Sequence, residues 1–200
     1  MVNFPALNPV EGADRFPPTD PADWDDAMRA AAAALIATPR GEVRGPFVPL
    51  LRSPDLLDRT QKLGEFLRYR CGVEERLREF AICVIARLWS QPYEWRAHAP
   101  LAARAGVAQA TLAALRDGRA APDMPADERL ILDFCTALDA DRRIDDDLHT
   151  RTVAILGESG TIELVGLCGY YALLAMVMNV ARTPYSGVAF EFPVDGSTGR

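Results

Sequence analysis

Apolar residues along the chain recur at helical spacing in one segment after another, and no convincing run of alternating apolar and polar positions appears. The first 19 residues hold Pro5, Pro9, Pro17 and Pro18 among polar positions and show no period. They read as an irregular arm that orders only when something binds it. Asp20 followed by Pro21 supplies a cap and a first-turn proline, opening a helix through Trp24, Met28 and an alanine run to about Ala37, where Pro39-Arg40-Gly41 ends it. A loop over 41–52 leads to the start signal Ser53-Pro54-Asp55. Leu56, Leu57, Leu63, Phe66 and Leu67 then form a helical stripe that Cys71-Gly72 closes. The period resumes at Glu74 and runs through Leu77, Phe80, Val84 and Leu88 to a turn at Ser90-Gln91-Pro92.

A helix over 93–105 stops at Gly106, and a short one over 107–116 stops at Asp117-Gly118. Further helices are predicted over 127–138, over 145–156 with a stop at Gly157, and over 161–182, where Pro184 follows. The fold class is therefore all-α, with one domain over 20–184. In the tail over 185–200, Val188 to Phe192 alternates briefly without being assigned a strand.

Composition narrows the partners. With 200 residues, 49% apolar content and a net charge of -6, the chain is long enough for a proper core and has no basic patch to recruit nucleic acid. The most apolar stretch, 164–178, is shorter than a membrane span and reads as a core or interface helix. The opening twenty residues lack the basic start and apolar run of a secretory signal, so the expectation is a cytoplasmic location without membrane association. Cys71, Cys83, Cys135 and Cys168 are widely spaced, with no CxxC pair, and read as reduced packing residues.

Candidate chemistry concentrates in 79–106, EFAICVIARLWSQPYEWRAHAPLAARAG in sequence. Glu94 and His98 are four apart on one helix, so the carboxylate can orient and charge-tune the imidazole. A return through Ser90-Gln91-Pro92 can bring Glu79 beside His98, giving a carboxylate, an imidazole and a second carboxylate able to relay a proton. Tyr93 and Gln91 at the turn could donate hydrogen bonds to a substrate oxygen, and Arg87 or Arg96 could anchor an anion. Blander readings stand beside these: Glu79 as a solvated acid near a helix start, and Trp89, Tyr93 and Trp95 as core aromatics. His149, among Asp145, Asp146 and Asp147, reads as a surface histidine. Consecutive aspartates diverge around a helix, so no metal is expected, and no cofactor fingerprint is present.

These blocks together resemble the carboxymuconolactone decarboxylase family, which also includes the alkylhydroperoxidase D proteins. The resemblance covers roughly 47–184. It rests on SPDLL, LREFAICVIARLWSQPYEWRAHAPLAARAGV, ADERLILDFCTALDADRRI and GTIELVGLCGYYALLAMVMNVARTP. It implies an alkylhydroperoxidase D-like helical bundle and a homo-oligomer, commonly a trimer or hexamer in that family. The peroxidase branch places a glutamate, then Cys-x-x-Cys, then a histidine four residues on. Glu79 and His98 match the glutamate and histidine, whereas Gln91 and Glu94 stand at the cysteine positions. Thiol peroxidase chemistry lacks its thiols here.

The decarboxylase branch needs no cysteines, so Glu79, Glu94 and His98 fit it better. The expectation is acid/base decarboxylation, or related lactone chemistry, on a small carboxylated metabolite such as one from aromatic breakdown. The alternatives are an antioxidant peroxidase-like activity and a non-catalytic ligand-binding protein.

Overall fold

In the computed structural model, which describes residues 4, 6–7 and 11–185, every regular element is helical. Eight α-helices run in order: α1 (Asp26–Ile36), α2 (Phe47–Leu50), α3 (Pro54–Tyr69), α4 (Glu75–Leu88), α5 (Pro92–Arg104), α6 (Gln109–Arg116), α7 (Ala126–Asp141) and α8 (Asp146–Ala181). The stripe of Val188 to Phe192 lies outside the described residues.

The centre of the bundle is α4. Leu77 and every residue from Glu79 to Leu88 are buried, because α5, α7 and α8 all pack around this helix. A helix enclosed on most sides needs apolar residues around nearly its whole circumference, and FAICVIARL supplies them. Glu79, just before that run, and Arg87, within it, are the buried charged exceptions.

Helix ends follow local chemistry. Gly106 and Gly118 adopt φ of 110° and 74°, and each closes a paired C-terminal bond pattern: Val107 N–H to the Ala102 carbonyl at 2.9 Å, and Arg119 N–H to the Ala114 carbonyl at 2.8 Å. The expected first helix divides in two. Asp20 caps only a 3-10 turn, Pro21–Asp23, and Trp24 is extended. Asp25 then accepts from the Met28 N–H at 2.8 Å and begins α1. Two caps five residues apart compete, and the second wins the longer helix. The loop expected over 41–52 contains the short α2. On α3, Leu57 and Leu67 are buried, whereas Leu56 and Leu63 face solvent.

Gly157, at φ 70° and ψ 173°, breaks the helical path where a stop was predicted, yet the chain resumes at once and α8 reaches 36 residues. The helix that carries the apolar stretch 164–178 is thus longer than that stretch. By length and composition α8 could cross a bilayer, its apolar window having a mean hydropathy of 1.8 with half of it buried in the protein. Among the described residues of the arm no helix precedes Pro21, and the protein's own body holds part of it. Arg15 N–H donates to the Ala181 carbonyl at 2.8 Å, and Arg52 Nη2 donates to the Pro17 carbonyl at 2.6 Å.

Arg76 ties the start of α4 to the start of α7, reaching Glu128 at 2.8 Å and pairing closely with Asp127. Glu128 is almost fully buried, so Arg76→Ala would strand a carboxylate and is expected to cost about 3 kcal/mol in chemical denaturation. The hydrogen bond from Arg76 holds Asp127 below the usual carboxylate range. This contribution is therefore present above pH about 4 and is lost as pH falls through the lowered value. An Arg76→Ala variant as stable as wild type would refute the assignment.

Candidate functional site

The turn between α4 and α5 sets the site. Ser90 takes φ of 49°, and two bonds close the end of α4: Gln91 N–H to the Ala86 carbonyl at 2.8 Å and Ser90 N–H to the Arg87 carbonyl at 3.2 Å. The Gln91 side chain then caps α5, accepting from the Tyr93 N–H at 2.8 Å, with Pro92 in the first turn. Asn179 of α8 locks the turn from outside. It accepts from Gln91 Nε2 at 2.8 Å and donates to the Trp89 carbonyl at 3.0 Å.

This geometry brings Glu79, Glu94 and His98 together, each only 4% exposed. Glu79 is thus no solvated helix-start acid. His98 Nδ1 lies 2.6 Å from Glu79 Oε2, and His98 Nε2 lies 3.4 Å from Glu94 Oε2. Burial pushes the Glu79 carboxyl up, but the His98 charge and hydrogen bond, with Arg68 and Arg78 beyond, bring it below its ordinary value. Burial dominates at Glu94 and holds it above the ordinary value against the pull of His98 and Arg68. One ring thus separates a carboxylate that favours the ionised form from one that favours the proton. With Glu79 ionised, Nδ1–H donates to it, which turns Nε2 toward Glu94. The Tyr171 ring packs edge-on to His98 with centroids 5.1 Å apart.

Glu94 and His98 line a cavity of about 410 Å³. Tyr93 and Arg96 line it too, as the sequence suggested. Arg87 and Gln91 do not. Arg87 Nε donates to the Arg116 carbonyl at 3.0 Å and its guanidinium lies over Phe4, on a face defined by the arm and the end of α6. Gln91 uses both ends of its amide in capping α5 and binding Asn179. Both correct the expected substrate contacts.

The cavity also contains groups the sequence reading did not select: Arg40 and Arg44 from the α1–α2 connection, Arg68 from α3, Arg104 from α5, and Tyr170 and Tyr171 from α8. Two adjacent phenols inside the most apolar helix were a visible signal. Gly64, in the interior of α3, was another, because a Cβ there would overlap the Tyr170 hydroxyl and crowd Arg40. No thiol lines the cavity. Cys83 is fully buried, and burial followed by Glu79 and Glu94 pushes its thiol far up, away from the reactive thiolate. Among the described residues, no three His, Cys, Asp or Glu side chains are grouped as a metal site. His149 is exposed, as its acidic surroundings suggested. No protein family, curated protein or solved structure matches the chain.

An exposed helical glycine replaced by alanine ordinarily gains about 1 kcal/mol. Gly64→Ala is expected to do the opposite, costing about 1–3 kcal/mol as the Tyr170 wall is displaced. Thermal unfolding decides the sign, and a stabilised variant would show that the wall gives way freely.

Proposed function

We propose that the chain is a decarboxylase-like enzyme that performs acid/base chemistry on a small carboxylated metabolite, with an alkylhydroperoxidase D-like arrangement of its helices. The observation that carries this reading is the single imidazole set between two buried carboxylates whose pKa values are driven in opposite directions, at the wall of an arginine-lined cavity. Five arginines line that cavity against two glutamates, which favours an anion. The motif resemblance points to the same chemistry, and the fully buried Cys83 thiol weighs against the peroxidase alternative.

The proposed step starts from a bound carboxylate whose C–C bond breaks to release carbon dioxide. The bonding pair stays on the α-carbon, delocalised into the lactone carbonyl, and that carbon then takes a proton. Glu94 in its acid form is the donor. His98 returns a proton to Glu94 from the medium, and ionised Glu79 fixes the His98 ring and offsets its positive charge while the proton passes.

Carbon dioxide release from a panel of small carboxylated lactones tests the reading. Glu94→Gln and His98→Gln are expected to lower turnover about 100-fold or more. The rate should be highest between the lowered pKa of Glu79 and the raised pKa of Glu94. It should fall in acid as Glu79 takes up a proton and in alkali as Glu94 loses its own. Glu79→Gln should remove the acid limb. Turnover that persists in both the Glu94 and His98 variants would sink the relay.

The proposed assembly is a homo-oligomer, a trimer or hexamer. Its support is the run of exposed apolar side chains along α8, with Ile162 70% and Val180 59% exposed. Light scattering is expected to give a multiple of the 21.9 kDa chain mass, and a monomer at micromolar concentration would overturn it.

A further inference from the structure

Arg40 lies on the connection between α1 and α2, ahead of the stretch that carries the family-like motifs, and its side chain forms part of the cavity wall. Neither Nη nitrogen has appreciable contact with water, and the polar group at its side is the Tyr170 hydroxyl. No carboxylate among the described residues forms an ion pair with it. Beside the guanidinium are the Phe47 ring, whose centroid is 5.1 Å away, and the Tyr170 hydroxyl, which packs against Gly64 where a Cβ would collide with it. A ring face offsets only part of the cost of burying a cation.

The other cavity cations differ. Arg44 has Glu42 at 3.1 Å, and ionised Glu79 supports the charge of Arg68 from a distance. Arg96 is half-buried and Arg104 exposed, so water can reach them, whereas Arg40 has both Nη nitrogens buried with no ion-pair partner among the described residues. The Tyr170 hydroxyl, held protonated by burial with its pKa pushed up to about 12, is a hydrogen-bond donor beside it. A planar guanidinium with an adjacent hydroxyl suits a carboxylate, which offers two acceptor oxygens in one plane. The aromatic rings of Phe47, Tyr93 and Tyr170 suit a flat, unsaturated body attached to that carboxylate.

We infer that Arg40, with the Tyr170 hydroxyl, is the carboxylate anchor of this cavity, and that it selects flat carboxylated ligands over their uncharged counterparts. This deepens the proposed function, on which it rests for the identity of the cavity as the working site. Binding is measured here without turnover, so the two can fail separately.

Benzoate serves as the probe and benzamide as its neutral counterpart, titrated calorimetrically into the full chain. Wild type is expected to bind benzoate and to ignore benzamide. Arg40→Met keeps the stem packed on Phe47 but removes the charge, and it should weaken benzoate at least about tenfold. His98→Gln should retain benzoate binding while losing any turnover. The ligand-free Arg40→Met protein should melt about 2–4 °C higher than wild type, because a buried unmatched charge is gone. A residue held for structural reasons would do the reverse. The inference is overturned if wild type takes up no benzoate or binds benzamide equally well. It is also overturned if Arg40→Met binds benzoate like wild type or melts lower.

Discussion

A carboxylate in the middle of a helix enclosed by the rest of the protein is the constraint on which this structure turns. Glu79 sits on α4 one residue before a run buried without interruption to Leu88, and an ionised group there without a partner would cost several kcal/mol. The 2.6 Å contact with His98 offsets that cost, and it can form only if α5 returns alongside α4 in one register. The same contact that makes the core tolerable therefore fixes which face of α5 looks into the cavity. Glu94 follows passively, carried by helix spacing to the other side of the ring, where a looser 3.4 Å approach leaves burial in control of its proton.

Around this pair the chain gives up several local preferences. Ser90 occupies a left-handed conformation in which glycine is favoured, Gly64 weakens the interior of α3, and Pro100 lies within α5, where it lacks the N–H of a helical donor. Each departure lies at the turn or along the cavity wall. Local signals and the fold agree at Gly106 and Gly118, where the stop residue is the one the backbone requires, whereas Arg142 and Arg182 take the left-handed conformation at the ends of α7 and α8, where glycine is favoured.

The order of helices was legible because apolar period and stop residues are local properties, and the Glu79–Glu94–His98 group was legible because helix spacing and one tight turn determine it. Arg40, Arg68 and Tyr170 were not. Each lies on a different element, and what brings them together is the packing of α3 against α8, which no spacing within a helix reports. Arg87 and Gln91 misled for the converse reason. They are close in sequence to the site, but the helix turns Arg87 toward the arm, and the turn consumes both ends of the Gln91 amide. Dividing the first helix at Trp24 was also beyond a linear reading, since either aspartate is an acceptable cap until tertiary packing selects one.

The hydrogen bonds from Arg15 to the last turn of α8 join positions 165 or more residues apart. Contacts of that separation are the last to form, because the intervening chain must be ordered before they repay the entropy of closing so long a loop. On a ribosome, the segment that carries Arg40 emerges early, and Tyr170 emerges only after most of the chain has been made. A nascent chain without α8 therefore has α4 and α5 ready to pair and Arg40 already near Phe47, but only part of a cavity wall, which Tyr170 and Tyr171 complete once α8 has been made.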